Sequence, residues 1–222
     1  MNIAIIGAGG IACQLAPTLY LNHNLIIADG DVYEPDNSTR QFPALKSTSN
    51  KAKTLAEMIN CFGSTRNSIA YYDSYLEQLS DYDNMEDVVP NNRIDLIIGA
   101  VDNMLSREII CDIANTTKTP AILGGNEEFM GEAHLYLHDM YSPFDHFNFN
   151  DDSPAPFSCN SDKMLEKHPQ TIHSNGLAVG CIHHLINSLH TVKDPLNAIA
   201  WSQMELHSSA SKRVRDFIDS QQ

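Results

Sequence analysis

The first 41 residues narrow the choice of fold more than any other stretch of this chain. They open on an apolar strand, Asn2-Ile3-Ala4-Ile5-Ile6, followed at once by Gly7-Ala8-Gly9-Gly10-Ile11-Ala12. A helix-like run from Cys13 to Asn22 comes next, then a second apolar strand, Leu25 to Ala28, that ends in Asp29-Gly30-Asp31. Strand, glycine turn, helix, strand, acid is the order of the dinucleotide-binding βαβ fingerprint.

Each small residue has its own physical task. Gly7 permits a tight turn off the strand, and Gly9 lets a phosphate or ribose approach the backbone without meeting a Cβ. The helix that follows offers free N–H groups and a positive dipole end at its N-terminus, which suit an anion. Ala12 is small enough for close packing of helix on strand. Asp29 stands where a carboxylate accepts bonds from ribose hydroxyls, with Asp31 two residues on.

A chain of 222 residues with 42% hydrophobic content has enough apolar surface for a sizeable core in one domain. The formal net charge of −14 argues against binding to nucleic acid, where affinity comes from Lys and Arg on phosphates, and against an anionic membrane surface. No apolar run approaches the ~18 residues of a membrane span. The N-terminus lacks a basic leader and starts directly on a strand, so no signal peptide is expected. The five cysteines, Cys13, Cys61, Cys111, Cys159 and Cys181, form no C-x-x-C pair. That spacing predicts reduced thiols in the cytoplasm and no cysteine zinc site.

Past Asp31, the run Val32 to Pro43 has two prolines and many polar residues and reads as a loop leaving the carboxyl end of a strand, where open α/β sheets bind ligands. It carries Asn37, Arg40 and Gln41; the planar fork of Arg40 suits phosphate oxygens. Residues 50–62 have helical spacing, capped by Ser49 or Asn50, with Lys51 in the first turn against the helix dipole. Ser68 to Tyr75 reads as a short strand, and Leu76 to Asn92 as a short helix and a variable loop. Ile94 to Val101 is a buried strand, with Asp102-Asn103 just past its end and a helix from Met104 to Thr116. Asp102 suits Mg²⁺ on a nucleotide triphosphate; Asp102 or Asn103 also suits the helix cap. Pro120 to Asn126 is a further strand. Glu132 to His138 alternates as a half-exposed, antiparallel strand with His134 and His138 on one polar face, two potential metal ligands without an evident third. Residues 139–170 form a long Asn-, Asp- and Pro-rich loop holding Cys159, a potential nucleophile. Asn175 to His190 is an apolar helix in which Gly176 and Gly180 predict tight packing. Ala198 to Leu206 is a last strand, followed by a basic helix or tail at 212–215.

The fold class expected is α/β and Rossmann-like: a largely parallel sheet flanked by helices, with antiparallel strands in the C-terminal half. Taken together, the motifs resemble the ThiF/MoeB/HesA family of ubiquitin-activating-enzyme-like adenylyltransferases. The resemblance rests on Gly7-Ala8-Gly9-Gly10, on Asp29 through Val32 to Asn37, Arg40 and Gln41, on Lys51, and on Asp102-Asn103-Met104-Leu105-Ser106-Arg107. It covers residues 2–125, and the apolar helix near 176–190 is similar to a late helix of the family.

The resemblance implies Mg-ATP-dependent adenylation of the C-terminal carboxylate of a small β-grasp (ubiquitin-like or sulfur-carrier) protein with a Gly-Gly tail. Asp29 would hold the ribose, Asn37, Arg40 and Lys51 the phosphates, and Asp102 the magnesium; Lys53 is a rival for Lys51. It implies one adenylation domain over 1–222: a nucleotide-binding core at 1–138, a crossover-like loop at 139–170, and a C-terminal helix, strand and tail at 171–222. A homodimer is the arrangement expected. Two departures stand out: the family's paired zinc cysteines are missing, so no zinc is expected, and no arginine-bearing segment precedes the first strand. Other readings are a non-catalytic scaffold subunit of such a complex, adenylation of a small-molecule or tRNA-linked carboxylate, and an NAD(P)-dependent oxidoreductase. The last leaves N-x-x-R-Q and D-N-x-x-x-R without a purpose.

Overall fold

The structure, a computed structural model, describes residues 1–45, 48–63, 66–126, 130–138, 170–189, 198–202 and 206–209. The first half alternates strand and helix: β1 (Asn2–Ile6), α1 (Gly10–Tyr20), β2 (Asn24–Ala28), α2 (Lys51–Asn60), β3 (Ile69–Tyr72), α3 (Leu79–Glu86), β4 (Leu96–Gly99), α4 (Met104–Thr117) and β5 (Ala121–Asn126). Then come β6 (Met130–Tyr136), α5 (Ile172–Ser188), β7 (Ala198–Ser202) and β8 (Leu206–Ser209). Short 3-10 turns lie at Pro35–Thr39, Phe42–Leu45 and Pro90–Asn92.

These strands make one mixed sheet in the order β3-β2-β1-β4-β5-β6-β7-β8. The first five pair in parallel and the last three join antiparallel, the architecture expected from the sequence. Strands β1, β4 and β5 are buried along their whole length. Helices cover both faces, and this is why those segments read as continuous apolar runs. One core packs α1, α2 and α5 on the sheet through Leu15, Leu55 and Ile182; the other packs α3 and α4 through Met85 and Ile110. The chain leaves β1 toward β2 on one side and returns to β4 on the other. The carboxyl ends of β1 and β4 therefore flank the switch point of the sheet, where this class of fold opens a crevice.

Several expectations need correction. The strand expected over 68–75 is confined to Ile69–Tyr72, because its partner β2 ends at Ala28, opposite Tyr72. The strand β6 is not half exposed: Gly131, Glu132, Ala133, Leu135 and Tyr136 are buried, since β5 and β7 pair with both of its edges and helices cover the sheet. The single strand expected over 198–206 is instead the antiparallel pair β7 and β8. Helix α5 starts earlier than expected, at Ile172, where the Thr171 hydroxyl accepts a bond from the Ser174 N–H. A Cβ at Gly176 would meet Gln14 at 3.3 Å, whereas a Cβ at Gly180 would have none of the described residues within 4 Å, so tight packing does not explain that glycine. The basic segment at 212–215 lies outside the described residues.

Candidate active site

Turning the chain at the end of β1 requires glycine. Gly7 has φ +92°, and a Cβ there would lie 2.6 Å from the Ala100 carbonyl oxygen. Its N–H continues the sheet by donating to the Ala28 carbonyl at 2.8 Å. Asp29 braces the turn from β2: one carboxylate oxygen accepts the Ala8 N–H at 2.6 Å and the other the Asp31 N–H at 2.8 Å. Burial raises the Asp29 pKa, and those two backbone bonds oppose it. Tyr33, fully buried, holds the turn from beneath by donating to the Ala8 carbonyl at 3.3 Å. Gly9 is the N-cap of α1 and brings no side-chain cap, so the first N–H groups of the helix keep their capacity to bind an anion.

The loop after β2 returns to the same place. Asn37 is fixed within its 3-10 turn, its side-chain oxygen accepting the Glu34 N–H at 3.1 Å, and its carbonyl accepts the backbone N–H groups of Arg40 and Gln41. Arg40 and Gln41 are thereby set side by side along the crevice, and among the described residues the buried Arg40 Nε and Gln41 Oε1 have no hydrogen-bond partner. Such atoms carry a desolvation cost of about 1–3 kcal/mol each that a bound polar ligand removes. Of the two candidate caps for α2, Asn50 serves: its oxygen accepts the Lys53 N–H at 2.9 Å, and its amide donates to the Asp29 carbonyl at 2.7 Å. That bond ties the start of α2 to the end of β2 and turns Lys51 inward, its Nζ 3.1 Å from Asp31 Oδ2, while Lys53 faces solvent. Tyr75 donates its hydroxyl to the other Asp31 oxygen. Burial acts to raise the Asp31 pKa, but the bonds from Tyr75 and Lys51 outweigh it and the net shift is downward.

At the end of β4 the two neighbouring polar residues divide the work. Asn103 caps α4, accepting the Ser106 N–H at 2.8 Å. Asp102 is left exposed, its nearest partner the Asn103 amide at 3.5 Å. A single uncommitted carboxylate matches Mg²⁺, which takes one or two protein carboxylates and draws its other ligands from water and phosphate. Among the described residues no cluster of three or more His, Cys, Asp or Glu side chains could hold a metal by itself. Arg107, 1% exposed, points beneath the sheet end and donates to the carbonyls of Val101 at 3.1 Å and Gly124 at 3.2 Å. It braces β4 against β5 and takes no place in the cavity lining.

All the nucleotide-side residues read from the sequence line one cavity: Gly7, Gly9 and Gly10, Asp29 and Asp31, Asn37, Arg40, Gln41, Lys51, Asp102 and Asn103. They come from four separate stretches brought together by the strand order. Cys159 lies outside the described residues. On β6, His134 sits 2.9 Å from Glu132, an ion-pair arrangement with no third ligand type beside it among the described residues. Sequence reasoning missed Tyr75 and Gln170, which also line the cavity, and Tyr33, which supports it. Only the position of Tyr75, just past a strand end, could have signalled it.

Fold and cavity together define a Rossmann-like α/β protein with a glycine-turn crevice at the switch point of its sheet. The chain belongs to the ThiF family, whose model matches residues 1–203. It is similar to the adenylyltransferase and sulfurtransferase MOCS3 of Dictyostelium discoideum, 29% identical over 141 residues (61% of this chain, 31% of that protein). It is also similar to the SUMO-activating enzyme subunit uba-2 of Caenorhabditis elegans, 24% identical over 140 residues (61% and 23%). The chain thus spans a third or less of the length of these two relatives. Among solved structures it shares the fold of E. coli MccB. With N-formylated MccA bound, MccB superposes with TM-score 0.69 at 16% identity, covering 94% of this chain and 64% of that one. With ATP the TM-score is 0.62 at 16% identity, with 94% and 62% covered.

Proposed function

We propose that this protein is a Mg-ATP-dependent adenylyltransferase that activates the C-terminal carboxylate of a small ubiquitin-like or sulfur-carrier protein. The observation that carries the reading is the convergence of the glycine turn, Asp29, Arg40, Lys51 and Asp102 on one cavity, with Arg40 Nε buried and, among the described residues, unpartnered. Family membership and the solved complex of the similar fold with ATP support it. The names of the two relatives, an adenylyltransferase and a SUMO-activating subunit, support the type of acceptor.

In this reading Asp29 accepts the ribose hydroxyls, while Gly9, Gly10 and the first turn of α1 meet phosphate oxygens through backbone N–H groups. Asn37, Arg40, Gln41 and Lys51 align the triphosphate, and Lys51 exchanges Asp31 for phosphate. Asp102 holds magnesium, which supplies charge neutralisation on the phosphates. The acceptor carboxylate attacks the α-phosphorus, the bond to the β-phosphate oxygen breaks, and pyrophosphate leaves with that electron pair. No proton moves in this step, so the residues act by alignment and charge stabilisation, which supply most of the acceleration in such transfers. The whole chain works as one adenylation domain and pairs as a homodimer, in a reducing, cytoplasmic setting that suits the free thiols Cys13, Cys61, Cys111 and Cys181.

ATP–pyrophosphate exchange tests the reading. Exchange that depends on a Gly-Gly-tailed β-grasp protein is expected; exchange with small acids alone, or none with any carboxylate, would refute it. Asp102→Ala is expected to abolish exchange with the melting temperature unchanged, because its exposed carboxylate makes only a 3.5 Å contact with the Asn103 amide among the described residues.

A further inference from the structure

The cavity is longer than the groups assigned to the nucleotide. Its lining follows the strand order, from Tyr75 and Leu76 beyond β3, past the ends of β2, β1 and β4, to Gly125 and Gln170 at the end of β5. The nucleotide roles occupy the stretch from β2 to β4. The β5 end is left for the second reactant.

Behind that end lies a buried polar cluster. Asn126, the last residue of β5, and Asn175, in the first turn of α5, are both 0% exposed. The Asn126 amide donates to Ser174 Oγ at 2.8 Å and to Asn175 Oδ1 at 3.1 Å. The Asn175 carboxamide packs so closely on Gly10 that a Cβ there has no room. Gln170, on the cavity wall, donates its amide to the Asn126 carbonyl at 3.0 Å. Two atoms of the cluster have no hydrogen-bond partner among the described residues: Asn126 Oδ1, an acceptor, and Asn175 Nδ2, a donor. Unpaired buried groups are uncommon, and each calls for a ligand or a trapped water.

We propose that Asn126 and Asn175 form a subsite for the last peptide group of the acceptor chain, entered when the Gln170 side chain swings off the Asn126 carbonyl. The inference rests on the adenylation reading and adds to it how a chain end is told from a small acid. A peptide group brings one N–H and one C=O, the complements of the unpaired acceptor and donor. A carboxylate alone brings no N–H for Asn126 Oδ1. A site built to bond a substrate N–H discriminates strongly against the analogue that lacks it, because its own buried group is then left unpaired.

The test is binding of a fluorescein-labelled synthetic peptide ending in a Gly-Gly carboxylate, read by anisotropy with magnesium and a non-hydrolysable ATP analogue present. Its twin has the final N–H replaced by an ester oxygen. The wild-type protein is expected to bind the amide about tenfold more tightly than the ester, the loss of one hydrogen bond. Asn126→Ala is expected to bind both alike, with affinity for the ATP analogue within about twofold of wild type on the same scale. Equal binding of amide and ester by the wild type would overturn the proposal, as would no peptide binding by a protein that holds the nucleotide; a trapped water then accounts for the cluster. If the variant unfolds, the amide and ester affinities of the wild type decide by themselves. Failure of the wild type to bind the nucleotide removes the adenylation reading first and this subsite with it.

Discussion

At the scale of the residue, Lys51 shows how a side chain is held ready. Its position at the start of a helix is unfavourable for a cation, and the pair with Asp31 at 3.1 Å compensates while keeping Nζ on the cavity wall. Asp31 is half exposed, so the pair adds little to stability. Its value lies in orientation. Lys51→Ala is therefore expected to leave the unfolding free energy nearly unchanged and to lower pyrophosphate exchange by about 10²-fold, the usual loss for one charge-stabilising donor. Cysteine reactivity separates in the same local terms. Burial pushes the Cys13 thiol up to about 12, so at pH 8 it is protonated as well as covered. Iodoacetamide at that pH followed by peptide mapping is expected to mark the exposed Cys61 and to spare Cys13, Cys111 and Cys181. Cys159→Ala is expected to leave exchange intact and to affect only a later thioester or persulfide step.

At the scale of the element, what matters is how strand ends and helix starts are fastened to each other. The glycine turn tolerates no side chain at its first position, where backbone angle and space both exclude one. Gly7→Ala is expected to cost about 3 kcal/mol, from left-handed strain and overpacking against the β4 end together, seen as a lower urea midpoint with an unchanged slope. Asn50 fastens α2 through two bonds, one as cap and one to the carbonyl of Asp29. Asn50→Ala is expected to cost about 1–2 kcal/mol and to weaken ATP binding as well, since the element it releases carries Lys51.

At the scale of the whole molecule, the cavity collects three carboxylates, Asp29, Asp31 and Asp102, against the two cations Arg40 and Lys51. In a chain of net charge −14, a bare triphosphate is poorly matched to such a site, and its magnesium complex is better matched. Mg-ATP at about one hundred times its dissociation constant is expected to stabilise the fold by about 2.7 kcal/mol, a rise in melting temperature of about 5–10 °C for a domain of this size. Adding EDTA is expected to remove most of that rise. Among the described residues no helix is long and apolar enough to cross a membrane.

The parallel half of the sheet and the residues that line its crevice were legible in the sequence because both follow from local chemistry. Inner parallel strands must be apolar on both faces, tight turns must be glycine, and the residues that meet a ligand at the sheet edge sit directly after the strands that carry them. The antiparallel half was less legible. The alternation in β6 suggested an exposed face, and only its placement between two strands and under helices buries Glu132 and Tyr136. Either Asp102 or Asn103 could have capped α4 on sequence alone; the geometry of the α4 start gives the cap to Asn103 and leaves the Asp102 carboxylate exposed. Tertiary structure alone brought Gly10, Asn126, Gln170 and Asn175 together. Contacts between residues so far apart in the chain depend on strand order and helix docking, and no local pattern records either.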